Sequence, residues 1–517
     1  MILKNIVRKN SYYDSATLML LTSKIGAELG STKDIAVMMA TDMNKEIMDK
    51  AGLLINEGRA ASPNDVVFAI RAESEEKIDE IRNKIEEELS KKADASKSQE
   101  NDVEETIEKA LSDYPDINIA VVSLPGLYAA REVKKLLNAD KHVLLFSDNV
   151  SIKQEKELKE LAVSRGLLMM GPDCGTAVIG GVGLGFSNKI NRGNIGIVAA
   201  SGTGLQEVMC QISNRGGGVS QAIGTGGRDV KETIGGLMLM QGLQLLAEDA
   251  KTDVIVIVSK PPASEVVKKA AEYLKKQEKK VVACFIGNRV KIEDAPWTEA
   301  ETLEDAARLA VELSGKGDAQ HYSLREELCK KADAQAGRLK AEQKYIRGLY
   351  CGGTLAYEAM LMIRKKYGHV ASNIALTPEE KIDGKTASVK HTVLDLGDDE
   401  FTVGKPHPMI EPSLREERLI QEALDLETAV ILTDVEIGYG SHENPAKVLA
   451  DEIAKAKKAL EETGRTVIFV ASICGSREDF QGYHQQKNIL EKEGVLVADS
   501  NAKAVELAMK IMKDREA

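Results

Sequence analysis

From Ile117 onward the chain alternates short apolar runs with charged amphipathic stretches, and that alternation constrains the fold more than any other feature. "INIAVVSL" precedes "YAAREVKKLL", "HVLLFS" precedes "SIKQEKELKELAVSRG", and "LLMMG" follows. Short apolar runs of this kind read as buried strands, and the stretches between them carry helical periodicity. A second series, "IGIVAA", "VSQAIG", "DVIVIVS" and "VVACFIG", occupies residues 194–315, and a third opens at "YIRGLYCGG" and continues through "TAVILTD", "TVIFVAS" and "GVLVAD". Strand–helix alternation sustained this long predicts an α/β chain of doubly wound parallel sheets.

Ahead of this lies a smaller region. "ILKNIV", "DIAVMMA" and "NDVVFAIRA" read as strands of a mixed sheet. "DSATLMLLTSKIGAEL", capped by Asp14 or Ser15, and "SEEKIDEIRNKIEEELSKK" read as helices. Residues 91–106 lack apolar periodicity and read as a linker. Residues 316–344 form a charged helical connector, and 377–391 a polar insertion. The expected domains are 1–106 (small α/β domain and linker), 107–192 (Rossmann-like), 193–315, the connector 316–344, and 345–517.

Composition excludes several functions. Aromatic residues make up only 4%, too few for base-stacking platforms, and a net charge of −12 opposes a nucleic-acid footprint. Any anionic ligand must be held by local dipoles and a few cations. The N-terminus has no apolar core of the signal-peptide kind and no apolar run is long enough for a bilayer, so a cytoplasmic location with no membrane partner is expected. The six cysteines, Cys174, Cys210, Cys284, Cys329, Cys351 and Cys474, are scattered without a C-x-x-C pair. Free thiols are expected, with no disulfide framework and no metal cluster.

Ser201-Gly202-Thr203-Gly204 joins a predicted strand to a predicted helix. The first turn of a helix has unpaired N–H groups and partial positive charge, glycines let an anion approach, and the hydroxyls add donors. An ordinary cap with glycines for tight packing is the competing explanation. Cys351-Gly352-Gly353-Thr354 offers the same geometry, with Cys351 read as a small buried thiol rather than a nucleophile. Behind these turns, Leu205, Val208, Met209 and Ile212, and Ala356, Ala359, Met360 and Ile363, follow i, i+3, i+4, i+7, so each helix presents one apolar face to a sheet.

Other candidates lie on loops. "GTGGRDV" places Arg228 beside Gly226 and Gly227, where it can hold a carboxylate or phosphate, or simply pair with Asp229. Lys260 follows a strand, at the end of an open sheet where ligands bind, and can equally be a solvated loop lysine. His407 in "GKPHP" and His442 in "GYGSHENP" can polarise a carbonyl or move a proton, or stand as surface histidines. No pattern of metal-ligand spacing appears.

Taken together, "LLMMGPDCGTA", which contains Asp173, "RGNIGIVAASGTG" and "GGGVSQAIGTGGRDV" resemble α-subunit segments of the succinyl-CoA synthetase superfamily. Residues 345–513 resemble the C-terminal ligase domain of the β-subunit. "YDS" near the N-terminus and "CGGTL" resemble the FdrA family, a fused branch of that superfamily. The resemblance implies a Rossmann-like domain and two flavodoxin-like ligase domains. Three departures accompany it. No histidine occurs between His142 and His321, where the synthetases carry a phosphohistidine. The first 110 residues lack a Gly-rich turn for CoA phosphates, and there is no ATP-grasp portion.

The resemblance to FdrA implies one subunit of an oxamate carbamoyltransferase in allantoin and purine degradation, interconverting oxalurate plus phosphate with oxamate plus carbamoyl phosphate. It would work with other subunits of a hetero-oligomer and without CoA, metal or nucleotide cofactors. In that expectation Ser201–Gly204 and Cys351–Thr354 bind phosphate. Lys260, Gly226, Gly227 and Asp173 bind the substrate and His442, His407 and Arg228 are the catalytic residues: Arg228 or Lys260 holds a carboxylate, and His442 or His407 polarises the carbamoyl carbonyl. An acyl-CoA synthetase component and a non-catalytic anion-binding scaffold are the rival expectations.

Overall fold

Strands and helices alternate along the chain in the order that the periodicity predicts. The computed structural model describes residues 1–513 except 10, 12, 14, 29–33, 98–105, 288–289, 385, 403–405 and 462. The chain divides into two compact units, Met1–Glu105 with Phe401–His407, and Thr106–Glu400 with Pro408–Ala517.

In the first unit, strands Ile2–Arg8, Ile35–Met39 and Val66–Ala72 form one sheet in the order first, third, second. Both pairings are antiparallel, where a mixed sheet was predicted. The first and second strands are indeed parallel, but the third inserts between them. Helices Ser15–Glu28 and Glu75–Lys97 cover the sheet through Leu18, Ile25, Ile78 and Ile85, all buried. The second helix runs into the stretch predicted as linker; Asp14, an expected cap, lies outside the described residues.

The second unit holds three sheets. Ile119–Val122, His142–Leu145 and Met169–Met170 form a three-stranded parallel sheet. A seven-stranded sheet runs in the order Thr298–Glu299, Lys280–Phe285, Val254–Ser259, Arg192–Ala200, Val219–Gly224, Thr176–Ile179, Val182–Gly185. Its first five strands are parallel, and the last two form an antiparallel hairpin laid on its edge. The third sheet is parallel throughout, in the order Thr392–Asp395, Tyr345–Tyr350, Thr428–Glu436, Ile468–Cys474, Leu496–Ala498.

Two helices decide where the site lies. Gly202–Asn214 follows strand Arg192–Ala200, and Gly353–Tyr367 follows strand Tyr345–Tyr350. The apolar faces predicted for both are buried to within 1%. They share one continuous apolar core with strands of both large sheets. Burying each large apolar side chain contributes roughly 1.5–3 kcal/mol, so the pair is held by its packing rather than by its polar ends. Because each helix begins at the C-terminal end of its strand, this packing brings the two N-termini together.

Candidate functional site

Ser201 caps the first helix, its Oγ accepting the Gly204 N–H at 3.0 Å. The same oxygen lies 2.6 Å from Thr354 Oγ1 on the second helix. Thr354 N–H donates to Thr203 Oγ1 at 3.3 Å, so the two predicted cradles touch directly. A side chain at Gly204 would collide with Ser201 Oγ and Thr354, so this glycine permits the close approach. Gly202 serves differently. It is exposed, and the nearest atom to a Cβ built there is Thr176 Oγ1 at 3.8 Å. The amides of Gly202, Thr203 and Gly353 carry no hydrogen bond among the described residues, and the helix dipoles add to them.

The second cradle is only partly free. Asp434, fully buried, accepts Cys351 N–H at 2.8 Å and Gly352 N–H at 2.7 Å. Cys351 and Gly352, predicted to bind phosphate, therefore spend their amides on an internal carboxylate. Arg415 balances that charge, with its Nη1 3.5 Å from Asp434 Oδ1 and also donating to the Asp434 carbonyl oxygen. Cys351, Asp434 and Glu436 bring donor atoms within 4.8 Å of one another. Asp434 is already committed, and burial holds the Cys351 thiol well above its usual range, so this group reads as an ion-pair core rather than a metal centre.

Around the mouth stand Lys260, Asp173 and Asp395. Lys260 makes no ion pair or hydrogen bond through its ammonium group among the described residues, lies 5.5 Å from the Tyr357 ring centroid, and is shifted down by burial. Asp173, in a left-handed conformation at φ +55°, lies on the turn after Met169–Met170. Solvent reaches its side chain, yet the protein packed around it, then Asp399 and Asp148, push it up to about 6. Asp395, which sequence patterning did not single out, ends strand Thr392–Asp395 and is pushed up to about 7 by burial, with Lys260 opposing. An acid at the C-terminal end of a parallel strand was the available signal.

Arg228 has partners within the protein. Its Nε lies 2.9 Å from Glu155 Oε2 and its Nη2 donates to the Val150 carbonyl at 2.9 Å. Arg228 does not pair with Asp229. That carboxylate instead accepts Lys159 and the amides of Met238 and Leu239 at a helix N-terminus. Lys159, Glu155 and Asp229 are all fully buried, so the Arg228 loop is anchored by an internal charge network. Gly226 packs on Pro172, whereas Gly227 is exposed with nothing within 4 Å of a Cβ built there.

His442 Nδ1 accepts the Asn444 N–H at 3.0 Å, and no hydrogen bond among the described residues links it to Ser201 or Thr354. His407 lies in Phe401–His407, the segment that groups with the first unit. The six cysteines are unpaired. Deeper between the helices, Glu207 and Glu358 are fully buried acids that the sequence did not flag, each pushed up to about 7 by burial. No described helix is long and apolar enough to cross a membrane.

Three family descriptions match the chain: "CoA-ligase" over residues 349–511, "CoA binding domain" over 190–287, and "AllF, heavy metal-associated domain" over 1–106. The last of these regions contains no cysteine and no histidine, so the thiolate and imidazole donors that suit soft metals are absent from it. The region described as a CoA binding domain contains the glycine-rich turn Ser201–Gly204, which leads from strand Arg192–Ala200 into helix Gly202–Asn214.

The chain is 43% identical over 521 residues to "Uncharacterized protein YahF" of Escherichia coli strain K12, covering all of both chains. It is 26% identical over 190 residues to the succinate–CoA ligase [ADP-forming] subunit alpha of Methanothermobacter thermautotrophicus, covering 36% of this chain and 61% of that relative. Among solved structures, the dinucleotide-forming acetyl-coenzyme A synthetase 1 of Ca. Korarchaeum cryptofilum aligns with 79% of this chain and 87% of its own, at 15% identity and a TM-score of 0.31.

Proposed function

Because the chain belongs to one family with YahF of Escherichia coli, and carries CoA-ligase and CoA-binding regions, we propose that it is the synthetase-like subunit of an oxamate carbamoyltransferase. The reaction is oxalurate plus phosphate to oxamate plus carbamoyl phosphate, in allantoin breakdown. The observation that carries this is the 2.6 Å contact between Ser201 and Thr354. It joins two helix N-termini whose amides at Gly202, Thr203 and Gly353 are left for a phosphate-sized anion. Thr203 and Thr354 flank that position, and Lys260 holds the carboxylate of oxamate or oxalurate. Asp173 supplies an acceptor for the N–H groups of a carbamoyl substrate, which a site for phosphate alone would not need. The AllF description of residues 1–106 supports the pathway.

The chain's contribution is positioning and charge stabilisation. Backbone amides fixed before the substrate arrives hold the phosphate while its oxygen attacks the carbamoyl carbon, and they need no reorganisation as charge shifts. Arg228 is assigned to holding its loop rather than to the substrate. With this assignment go the domain boundaries 107–192, 193–315 and 345–517, the first Rossmann-like and the others ligase-like, and association with further subunits.

A phosphate-release assay with carbamoyl phosphate and oxamate, on the full chain with and without its partner subunits, tests the proposal. Turnover in a reconstituted combination is expected, and absence of turnover in every combination overturns it. The matches to CoA-ligase and CoA-binding families favour a second possibility, an acyl-CoA synthetase-like subunit. Calorimetric binding of CoA would favour that one. The lack of any histidine between His142 and His321 weighs against a phosphohistidine route.

A further inference from the structure

The most constrained polar group at the mouth of the site is Asp395. It is 6% exposed, and its backbone is clamped on both sides by Asn373, whose Oδ1 accepts the Asp395 N–H at 3.0 Å and whose Nδ2 donates to the Asp395 carbonyl at 2.9 Å. Its Oδ1 accepts the Gly397 N–H at 3.0 Å, while Oδ2 has no hydrogen-bond partner among the described residues. That free oxygen stands over Gly353, so closely that a Cβ there would overlap it. Gly353 is the first residue of helix Gly353–Tyr367. A carboxylate oxygen of a buried residue, with no hydrogen bond of its own among the described residues, thus stands at the approach to the same helix N-terminus that would receive the anion.

The charges facing Asp395 are few. Lys260 comes from the end of strand Val254–Ser259, Asp398 from its own loop, and Asp434 from strand Thr428–Glu436. Asp434 is already balanced by Arg415, and Cys351 on the adjoining turn stays a neutral thiol. Lys260 in turn faces Asp395, Asp398 and Asp173, with Lys231 as a further cation beside it. An incoming dianion would meet Asp395 as a like charge competing for Lys260 and for the Gly353 amide.

Resting on the phosphate assignment above, we propose that Asp395 takes up a proton when the anion enters, and that this proton goes to the departing nitrogen. In the phosphorolytic direction an oxygen of monohydrogen phosphate bonds to the carbamoyl carbon of oxalurate. The bond from that carbon to the nitrogen of the oxamate half breaks, and its electron pair goes to nitrogen. Nitrogen takes the proton of Asp395, and the phosphate hydroxyl returns its own proton to the Asp395 carboxylate. The products are oxamate and carbamoyl phosphate, with Asp395 protonated as it began. Burial, which pushes this carboxyl up to about 7, places it where a proton can be both taken and given near neutral pH.

The test is titration calorimetry of the full chain at pH 8 in two buffers of different ionisation enthalpy, with inorganic phosphate and, separately, sulfate, which does not itself titrate in this range. Uptake of close to one proton per sulfate or phosphate is expected. Asp395→Asn, which keeps the acceptor for Gly397, should abolish the uptake and bind sulfate about tenfold more tightly at pH 8, because roughly a tenth of the wild-type sites are then protonated. Binding without proton uptake by the wild type overturns the inference and leaves the phosphate site standing, as does uptake retained in Asp395→Asn. Failure of the wild type to bind either anion between pH 6 and pH 8 overturns the phosphate assignment itself. Should Asp395→Asn fold poorly, the wild-type affinity still decides: it should fall about tenfold per pH unit above 7, and a flat profile overturns the inference.

Discussion

Gly202 and Gly204 lie two residues apart on one helix, yet substituting them should fail in opposite ways. At Gly204 an alanine Cβ would collide with Ser201 Oγ and press on Thr354 Cγ2. Moving Ser201 loses a helix cap, at about 1 kcal/mol. Losing its contact with Thr354 costs about 1 kcal/mol more. Crowding adds roughly 1–3 kcal/mol, and the better helix propensity of alanine returns up to about 1 kcal/mol. Gly204→Ala should therefore destabilise by roughly 2–4 kcal/mol. Gly202→Val meets only Thr176 Oγ1 at van der Waals distance, so stability should stay within about 0.5 kcal/mol. Its methyl groups, however, would cover the amides of Gly202 and Thr203. Two charge-assisted hydrogen bonds at about 1.5 kcal/mol each correspond to a loss of phosphate affinity on the order of 100-fold. Scanning calorimetry and phosphate titration of both variants give the comparison. The assignment of these glycines fails if Gly202→Val binds phosphate like the wild type, or if Gly204→Ala melts with it.

Two further outcomes concern the buried charges. Glu207 and Glu358 each sit at about 7 in the folded chain against an unfolded value near 4.5. Their contribution is thus complete below pH 4.5 and is lost as pH rises through 7, by up to roughly 3 kcal/mol each. Glu207→Gln should accordingly raise the melting temperature at pH 8 more than at pH 5, and an equal effect at both would refute this origin. Lys159→Met leaves Glu155 and Asp229 buried without their shared cation. A cost of about 3–5 kcal/mol is expected by chemical denaturation, and a neutral result would refute the reading of Lys159 as their shared counter-charge.

Much of the fold was legible because its strands are apolar runs and its helices carry a periodic face. The interval of Leu205, Val208, Met209 and Ile212 alone placed one helix against a sheet. That pattern gives no information about the helix's other side, where Gln206, Glu207 and Gln211 are also buried, against a second α/β layer. The two small-residue turns were visible as strand-to-helix turns with glycines at the helix start. Their mutual contact was not, since Ser201 and Thr354 are separated by 153 positions and only tertiary packing joins them. Asp434 escaped notice for the same reason: it lies 83 residues beyond Cys351 and occupies that turn from within. The partners of Arg228 were not legible, because a glycine loop with an arginine looks like a ligand loop from sequence. Glu155, which actually engages it, is just another acid on a charged helix. The antiparallel first sheet likewise turned on which strand inserts where, which periodicity does not encode.

The cradles at Ser201 and Thr354 are carried by one polypeptide and joined through the connector 316–344. Were they on separate chains, the proposed anion site would exist only where those chains meet, and its occupancy would fall on dilution. Covalent continuity makes their encounter intramolecular, with an effective concentration fixed by the tether rather than by expression level. Phosphate affinity should therefore be the same at nanomolar and micromolar protein, and any concentration dependence of turnover would belong to the recruitment of other subunits.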